Sequence, residues 1–266
     1  LNADDVNVLK MSGYTDAKTI CYVTMKPSNA LVREHIRAGG RAGALENGVN
    51  GHMITLYDKG SHIPLMWTHL IPATLEGRAL HNVQNAMVAA AMAFSLGIKL
   101  DAIRQGLRTF DTTFFQAPGR MNVFNEHPFK VLFDYGHNAH AVGVMADLAQ
   151  RLDVTGRRIV VLAGPGDRRD EDLVAIADAV AGRFDHYICR RDDGLRGRDG
   201  DEVPRIQAKA LMAKARWSTT ELRRQVTSPG GTTPPALHVL LGVGGLSSLP
   251  RDAVASAPRR LTRLGG

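Results

Sequence analysis

Residues 133–141 read FDYGHNAHA and put one Asp, one Tyr, two His and one Asn into a single turn. The apolar run FKVL precedes it, and VGVMADLAQRL follows with helical spacing, so a strand is expected to run into a helix through this turn. Ligands of open α/β sheets sit beyond such carboxyl ends of strands. Asp134 there has the chemistry to accept from a ribose hydroxyl, and the start of the next helix favours an anion. The same spacing suits a plain helix start, in which Asp134 and Asn138 cap and His137 packs.

Four other strings hold groups of comparable reach. APGR (117–120) sets Arg120 on a rigid turn, and a guanidinium fork matches phosphate oxygens. The alternative is a surface arginine beside a turn. In LHNVQNAMVAAAMA, His81, Asn82 and Asn85 fall on the early turns of an Ala-rich helix. The two amides are three apart, hence on one face, as reading a purine edge requires. Polar residues at a helix start would look the same. LAGPGDRRDEDL (162–173) has a Gly-rich turn after a strand but fails as a dinucleotide fingerprint, because Arg169 stands where the third glycine belongs. Asp170 and Glu171 suit the start of a helix, so structure outweighs phosphate binding there. RRDDGLRGRDGDE (190–202) is a mixed-charge loop at a third strand end, the ordinary look of a solvated segment.

The elements that carry these strings fall into three stretches. Residues 1–115 read as mixed: a short helix near 3–12, a strand over 18–25 and a hairpin through HMITLYDKGSHIPLMW turning at DKG. A long helix over about 78–96 follows, stopped by Gly97, and then a shorter one, LDAIRQGLRTF, with Asp101 near its start. QAPGRMN breaks the pattern and marks a domain boundary near 112–117. Over 116–214, strands at FKVLFDY, 158–164 and 186–190 alternate with helices at 139–152, 170–183 and 201–214, which predicts a mostly parallel α/β sheet. Residues 215–266, rich in Gly, Pro, Ser and Thr with neither period, read as an irregular tail.

Composition narrows the classes. In 266 residues with 44% hydrophobic and 22% charged side chains there is material for two modest cores. The longest apolar run, 86–98, is too short for a bilayer, which needs about 20 residues. Of the net charge of +7, seven Arg less Glu221 and Asp252 give +5 after residue 214, leaving +2 for the rest. A nucleic-acid partner is not indicated. Cys21 and Cys189 lie in expected strands with no CxxC or Cys/His cluster nearby and read as buried free thiols of a reducing cytoplasm. Leu1 is not an initiator Met, and the N-terminus reads as cut from something longer.

Taken in order, LNADD, HNVQNAMVAAA, PGR, DYGHN and GDRRDED resemble the Mur ligase family, ATP-dependent enzymes that add amino acids through an acyl phosphate. The strings LIPATLEGRALHNVQNAM, TTFFQAPGRMNVF and FDHYICRRDD resemble the branch whose members lengthen an aspartate/arginine polymer, and the likeness covers about residues 1–214. The resemblance implies that 1–115 is the end of a central ATPase domain. Residues 116–214 would then be an incomplete Rossmann-like C-terminal domain. It implies that His81, Asn82, Asn85, Asp134, His137 and Asn138 line an ATP site, with Arg120 on the phosphates as catalytic residue. It further implies Mg²⁺ held mainly by residues upstream, L-arginine and the polymer primer as substrates, no nucleic-acid or membrane partner, and a homo-oligomer. The loop after the third strand would meet arginine through Asp192 and Asp193, and its α-carboxylate through Arg196 or Arg198. Two family features are missing: no G-x-x-x-x-G-K-[ST] loop occurs, and Ala139 replaces the usual Pro after HN. The chain alone is therefore expected to be inactive. The alternative is a catalytically silent nucleotide-binding or interaction module on the same scaffold.

Overall fold

The computed structural model describes residues 1–214; the expected irregular tail lies outside them. The described residues form two compact units, Leu1–Gly136 with Asp147–Asp153, and His137–Ala146 with 154–214. The division thus follows Gly136, whereas the composition break pointed to 112–117. The Pro-Gly turn stays with the first unit because backbone and side-chain bonds tie it there, as described below.

In the first unit, α1 (Val6–Lys10) starts where the Asp5 carboxylate accepts from the amides of Asn7 and Val8 at 2.8 and 3.1 Å. Strands β1 (Cys21–Thr24), β2 (Arg41–Gly48), β3 (Gly51–Asp58) and β4 (Ser61–Trp67) form one sheet in that order. β1 and β2 are parallel and the remaining pairs antiparallel. The DKG turn is as expected: Lys59 and Gly60 both have positive φ, at 49° and 80°, which a two-residue hairpin with the right twist needs.

Sequence periodicity passes over two elements of this unit. One is α2 (Ala30–Arg37), whose cap, Asn29, accepts from Val32 N. The other is β2, RAGALENG, which has no β-branched residue. Tertiary packing makes it a strand. A Cβ on Gly43 would lie 3.6 Å from Ala91 Cβ and Met87 Cγ of α3 (Leu80–Ser95). Small residues on both elements let helix and sheet approach closely. Ile54, Leu56, Val83, Met87 and Ala91 close that face of the sheet, and α4 (Leu100–Thr109) adds Ile103. Val32 of α2 packs on the other face with Tyr22 and Ala42. Gly97, at φ +81°, ends α3 as expected.

The segment FKVLFDY departs from its expected role. Only Val131–Phe133 (β6) is strand, and it pairs antiparallel with β5 (Asn122–Phe124) instead of joining a parallel sheet. The six residues between the two strands allow only an antiparallel return, because a parallel one needs a crossover of about a dozen or more.

The second unit keeps the expected parallel α/β pattern. β7 (Ile159–Leu162) and β8 (His186–Cys189) pair parallel, with Ile159 opposite His186. The strands pack with α5 (Ala139–Arg151), α6 (Asp170–Asp178) and α7 (Glu202–Lys214) around Ala146, Leu162, Ala177, Val180 and Leu211. α6 ends five residues before the expected 183. Cys21 and Cys189 are free, and burial raises both thiols, Cys189 to about 11.

Candidate functional site

One buried amide organises the turn that presents Arg120. Asn122 is 1% exposed. Its Oδ1 accepts from Gly119 N at 2.7 Å, and its Nδ2 donates to Thr112 O and Ala117 O at 2.8 and 2.9 Å. Gly119 (φ +70°) and Met121 (φ +51°) both take left-handed backbone, so the chain doubles back and leaves Arg120 outside.

This turn and the DYG turn are laced together. Tyr135 N donates to Gly119 O at 2.8 Å, and Met121 N donates to Asp134 Oδ2 at 3.0 Å. Asp134 therefore does not cap the following helix. It anchors the arginine turn and keeps acceptor capacity beyond that one bond. The exposed Arg120 guanidinium lies over the Tyr135 ring, 5.6 Å from its centroid, which holds the cation without consuming its N–H donors.

The early turns of α3 reach the same place. Asn82 Nδ2 donates to Ala73 O at 2.7 Å and lies 3.7 Å from Met121 Sδ. The exposed Asn85 donates to Asn82 Oδ1 at 3.2 Å, so the two amides do share a face. Asn82 spends both amide groups internally, which leaves Asn85 to present an amide edge. His81 is half-buried. Burial lowers its imidazole, Arg151 lowers it further, and Asp134 opposes both.

The His81 shift carries a sign that can be tested. Between the ordinary imidazole value of about 6.5 and the lower folded one, the unfolded chain binds a proton that the native chain refuses. Stability is therefore full above about pH 6.5 and falls as pH drops through that window. We expect His81→Gln to lose less stability than the native chain between pH 7.5 and pH 5.5. Urea midpoints at both values check this, and equal losses would contradict it.

The remaining candidates belong to the second unit. Asn138 caps α5, its Oδ1 accepting from Ala141 N at 2.9 Å, which is the plain reading of that residue. His137 precedes it and is half-buried. The glycines of AGPG serve close packing. A Cβ on Gly166 would stand 2.0 Å from Leu195 O, and one on Gly164 2.5 Å from Leu173 Cδ2. Asp170 and Glu171 are first-turn acids of α6, complementing its dipole, while the cap position is Arg169 and makes no side-chain cap bond.

In the loop after β8, Asp192 Oδ1 accepts from Asp193 N at 3.0 Å, and Asp193 pairs with Arg190 at 3.0 Å. Arg196 pairs with Asp167 at 2.9 Å and holds that carboxyl below the usual range. Arg198 donates to Gly166 O and Arg168 O and pairs with Asp170 and Glu202. These bonds make Arg198 a brace of the loop. The sequence signals Asn122 and Tyr135 only by their adjacency to Arg120 and Asp134, within QAPGRMN and FDYGHNAHA.

Residues 119–227 match the Mur ligase, glutamate ligase domain. Among curated proteins the chain is 42% identical over 223 residues to the cyanophycin synthetase of Trichormus variabilis (strain ATCC 29413 / PCC 7937). It is 37% identical over 212 residues to the cyanophycin synthetase of Synechocystis sp. (strain ATCC 27184 / PCC 6803 / Kazusa). Each match takes in 80% of this chain but only 22% and 24% of those relatives, so the chain spans under a quarter of their length. A more distant relative is the UDP-N-acetylmuramoyl-L-alanyl-D-glutamate–2,6-diaminopimelate ligase of Alkaliphilus metalliredigens (strain QYMF). It is 24% identical over 154 residues, covering 57% of this chain and 30% of that one.

Proposed function

We propose that these residues form part of the ATP site of a ligase that adds L-arginine to aspartate side-chain carboxylates of the Asp/Arg polymer cyanophycin. The observation that carries the reading is the meeting of HNVQN, PGR and DYG in one unit, through Asn82, Met121, Gly119, Asp134 and Tyr135. The likeness to cyanophycin synthetases supports the choice of amine and acceptor.

The reaction has two steps. A carboxylate oxygen attacks the γ-phosphorus of ATP, the bond to ADP breaks, and an acyl phosphate forms. The arginine α-amine then attacks the acyl carbon, inorganic phosphate leaves with the bonding pair, and the amine loses a proton. The protein's tasks are positioning and charge stabilisation. Arg120 meets the phosphates, Asp134 the ribose, and Asn85, held by Asn82, presents its amide to the base beside a neutral His81. His137 and Asn138 stand at the start of α5, where backbone amides favour anionic groups.

Mg²⁺ would offset phosphate charge when bound. Its protein ligands are assigned mainly to residues upstream of this segment in the ligase, one or two carboxylates with the phosphates sufficing for Mg²⁺. No helix among the described residues is long and apolar enough to cross a membrane. The reading places the activity in the cytoplasm, in a homo-oligomeric enzyme. The 266-residue chain alone does not turn over ATP, because its sequence has no Gly-rich loop with the Lys that neutralises β- and γ-phosphates.

A chimera tests the reading, with residues 1–214 replacing the matching segment of the Trichormus variabilis cyanophycin synthetase. Arginine selection is assigned to Asp192 and Asp193, which would pair with the guanidinium, and to Arg196 for the α-carboxylate. In the chimera, Asp192→Asn or Asp193→Asn raises the arginine KM about tenfold or more, one charge-assisted contact being about 1.5–3 kcal/mol. Lysine, unable to pair bidentately, loses less, so the preference for arginine narrows. An unchanged arginine KM and preference in both variants would remove this loop from the arginine site.

A further inference from the structure

The first unit also contains a cavity of about 350 Å³ that shares no lining residue with the Arg120–Asp134 cluster. Three cations line it: Lys26, from the loop between β1 and α2, and Arg33 and Arg37 of α2. The two arginines are four apart, hence on one helical face, where like charges repel. Three other arginines of this unit have acids set against them: Arg41 with Asp58, Arg78 with Asp153, Arg104 with Asp101. Lys26, Arg33 and Arg37 have no ion pair among the described residues.

The one acid on the wall does not fill that role. Glu46 takes hydrogen bonds from Thr55 Oγ1 (2.7 Å), from Tyr57 and from His62 Nε2 (3.0 Å). Burial would raise its carboxyl, yet those three bonds outweigh burial and hold it below the usual range. Its charge is thus directed to donors of its own sheet, and three cations face one carboxylate around the hollow. The positive end of α2 adds to the same sign. Val32, Ile36 and Ala44 give the cavity an apolar side as well.

We propose that this cavity is a binding site for a small organic anion, a carboxylate or phosphate ester. Arg33, Arg37 and Lys26 would hold its oxygens, and the apolar wall would meet its carbon skeleton. The proposal is independent of the ligase reading. Its test is calorimetric titration of the 266-residue chain with tri-aspartate and, separately, with ribose 5-phosphate. We expect single-site binding of at least one probe, weakening as salt rises. Binding of one alone identifies the ligand's acid group. Arg33→Gln/Arg37→Gln weakens that binding about a hundredfold, and Lys26→Gln about tenfold, as losing charge-assisted bonds implies. Lys99→Gln/Arg108→Gln, which removes two exposed charges elsewhere in the same unit, leaves it unchanged. Failure of both probes to bind the native chain would overturn the proposal. So would undiminished binding by Lys26→Gln, or equal loss in the control.

Discussion

Arg120→Ala in the chimera lowers kcat about 10²–10³-fold, the usual cost of removing one donor aimed at developing charge. The guanidinium stands outside the turn with its donors uncommitted to Tyr135, whose ring holds it by its π-face. It would contact charge that builds up as the phosphoryl group transfers, so the loss falls on turnover. Asp134→Asn keeps an acceptor for Met121 N while losing the charge that Asp134 would offer to ribose in the proposed site. We expect it to raise the KM for ATP about tenfold and change kcat little, since ribose would be held equally in ground and transition states. Steady-state kinetics with ATP varied at saturating arginine separate the two. A kcat effect for Asp134→Asn together with a KM effect for Arg120→Ala would exchange the roles.

The second large effect is on stability. Asn122→Ala removes one acceptor and two donor contacts at a position 1% exposed, leaving Gly119 N, Thr112 O and Ala117 O unpaired. At about 1 kcal/mol per lost bond the cost is about 3 kcal/mol. Asn122→Asp is no rescue, because a carboxylate can still take Gly119 N but repels the two carbonyls. Urea unfolding of the 266-residue chain measures both as a fall in midpoint at unchanged slope. A loss under about 1 kcal/mol for either would show that the turn is held by other means.

Much of this arrangement is legible in the sequence, and the illegible parts have physical reasons. The α3 helix, the DKG hairpin and the β7–α6–β8–α7 alternation follow from local period and from turn residues whose φ preferences are strong. β2 is hidden, because its Gly and Ala residues become strand only where α3 packs against them. The pairing of β5 with β6 is hidden as well, since three-residue strands carry no period. The site strings are legible as strings. Their geometry is not: that Asp134 serves Met121 N instead of capping α5 depends on two positive φ angles in the arginine turn. The double use of Arg198 depends on contacts about thirty residues away along the chain.

The most direct test of the central claim is phosphate release from ATP, with and without L-arginine, in the presence of cyanophycin primer. The account predicts arginine-dependent release by the chimera, its near-abolition by Arg120→Ala, and none by the isolated 266-residue chain. A folded, ATP-binding chimera that releases no phosphate in response to arginine, beside an active Trichormus variabilis enzyme, would contradict it.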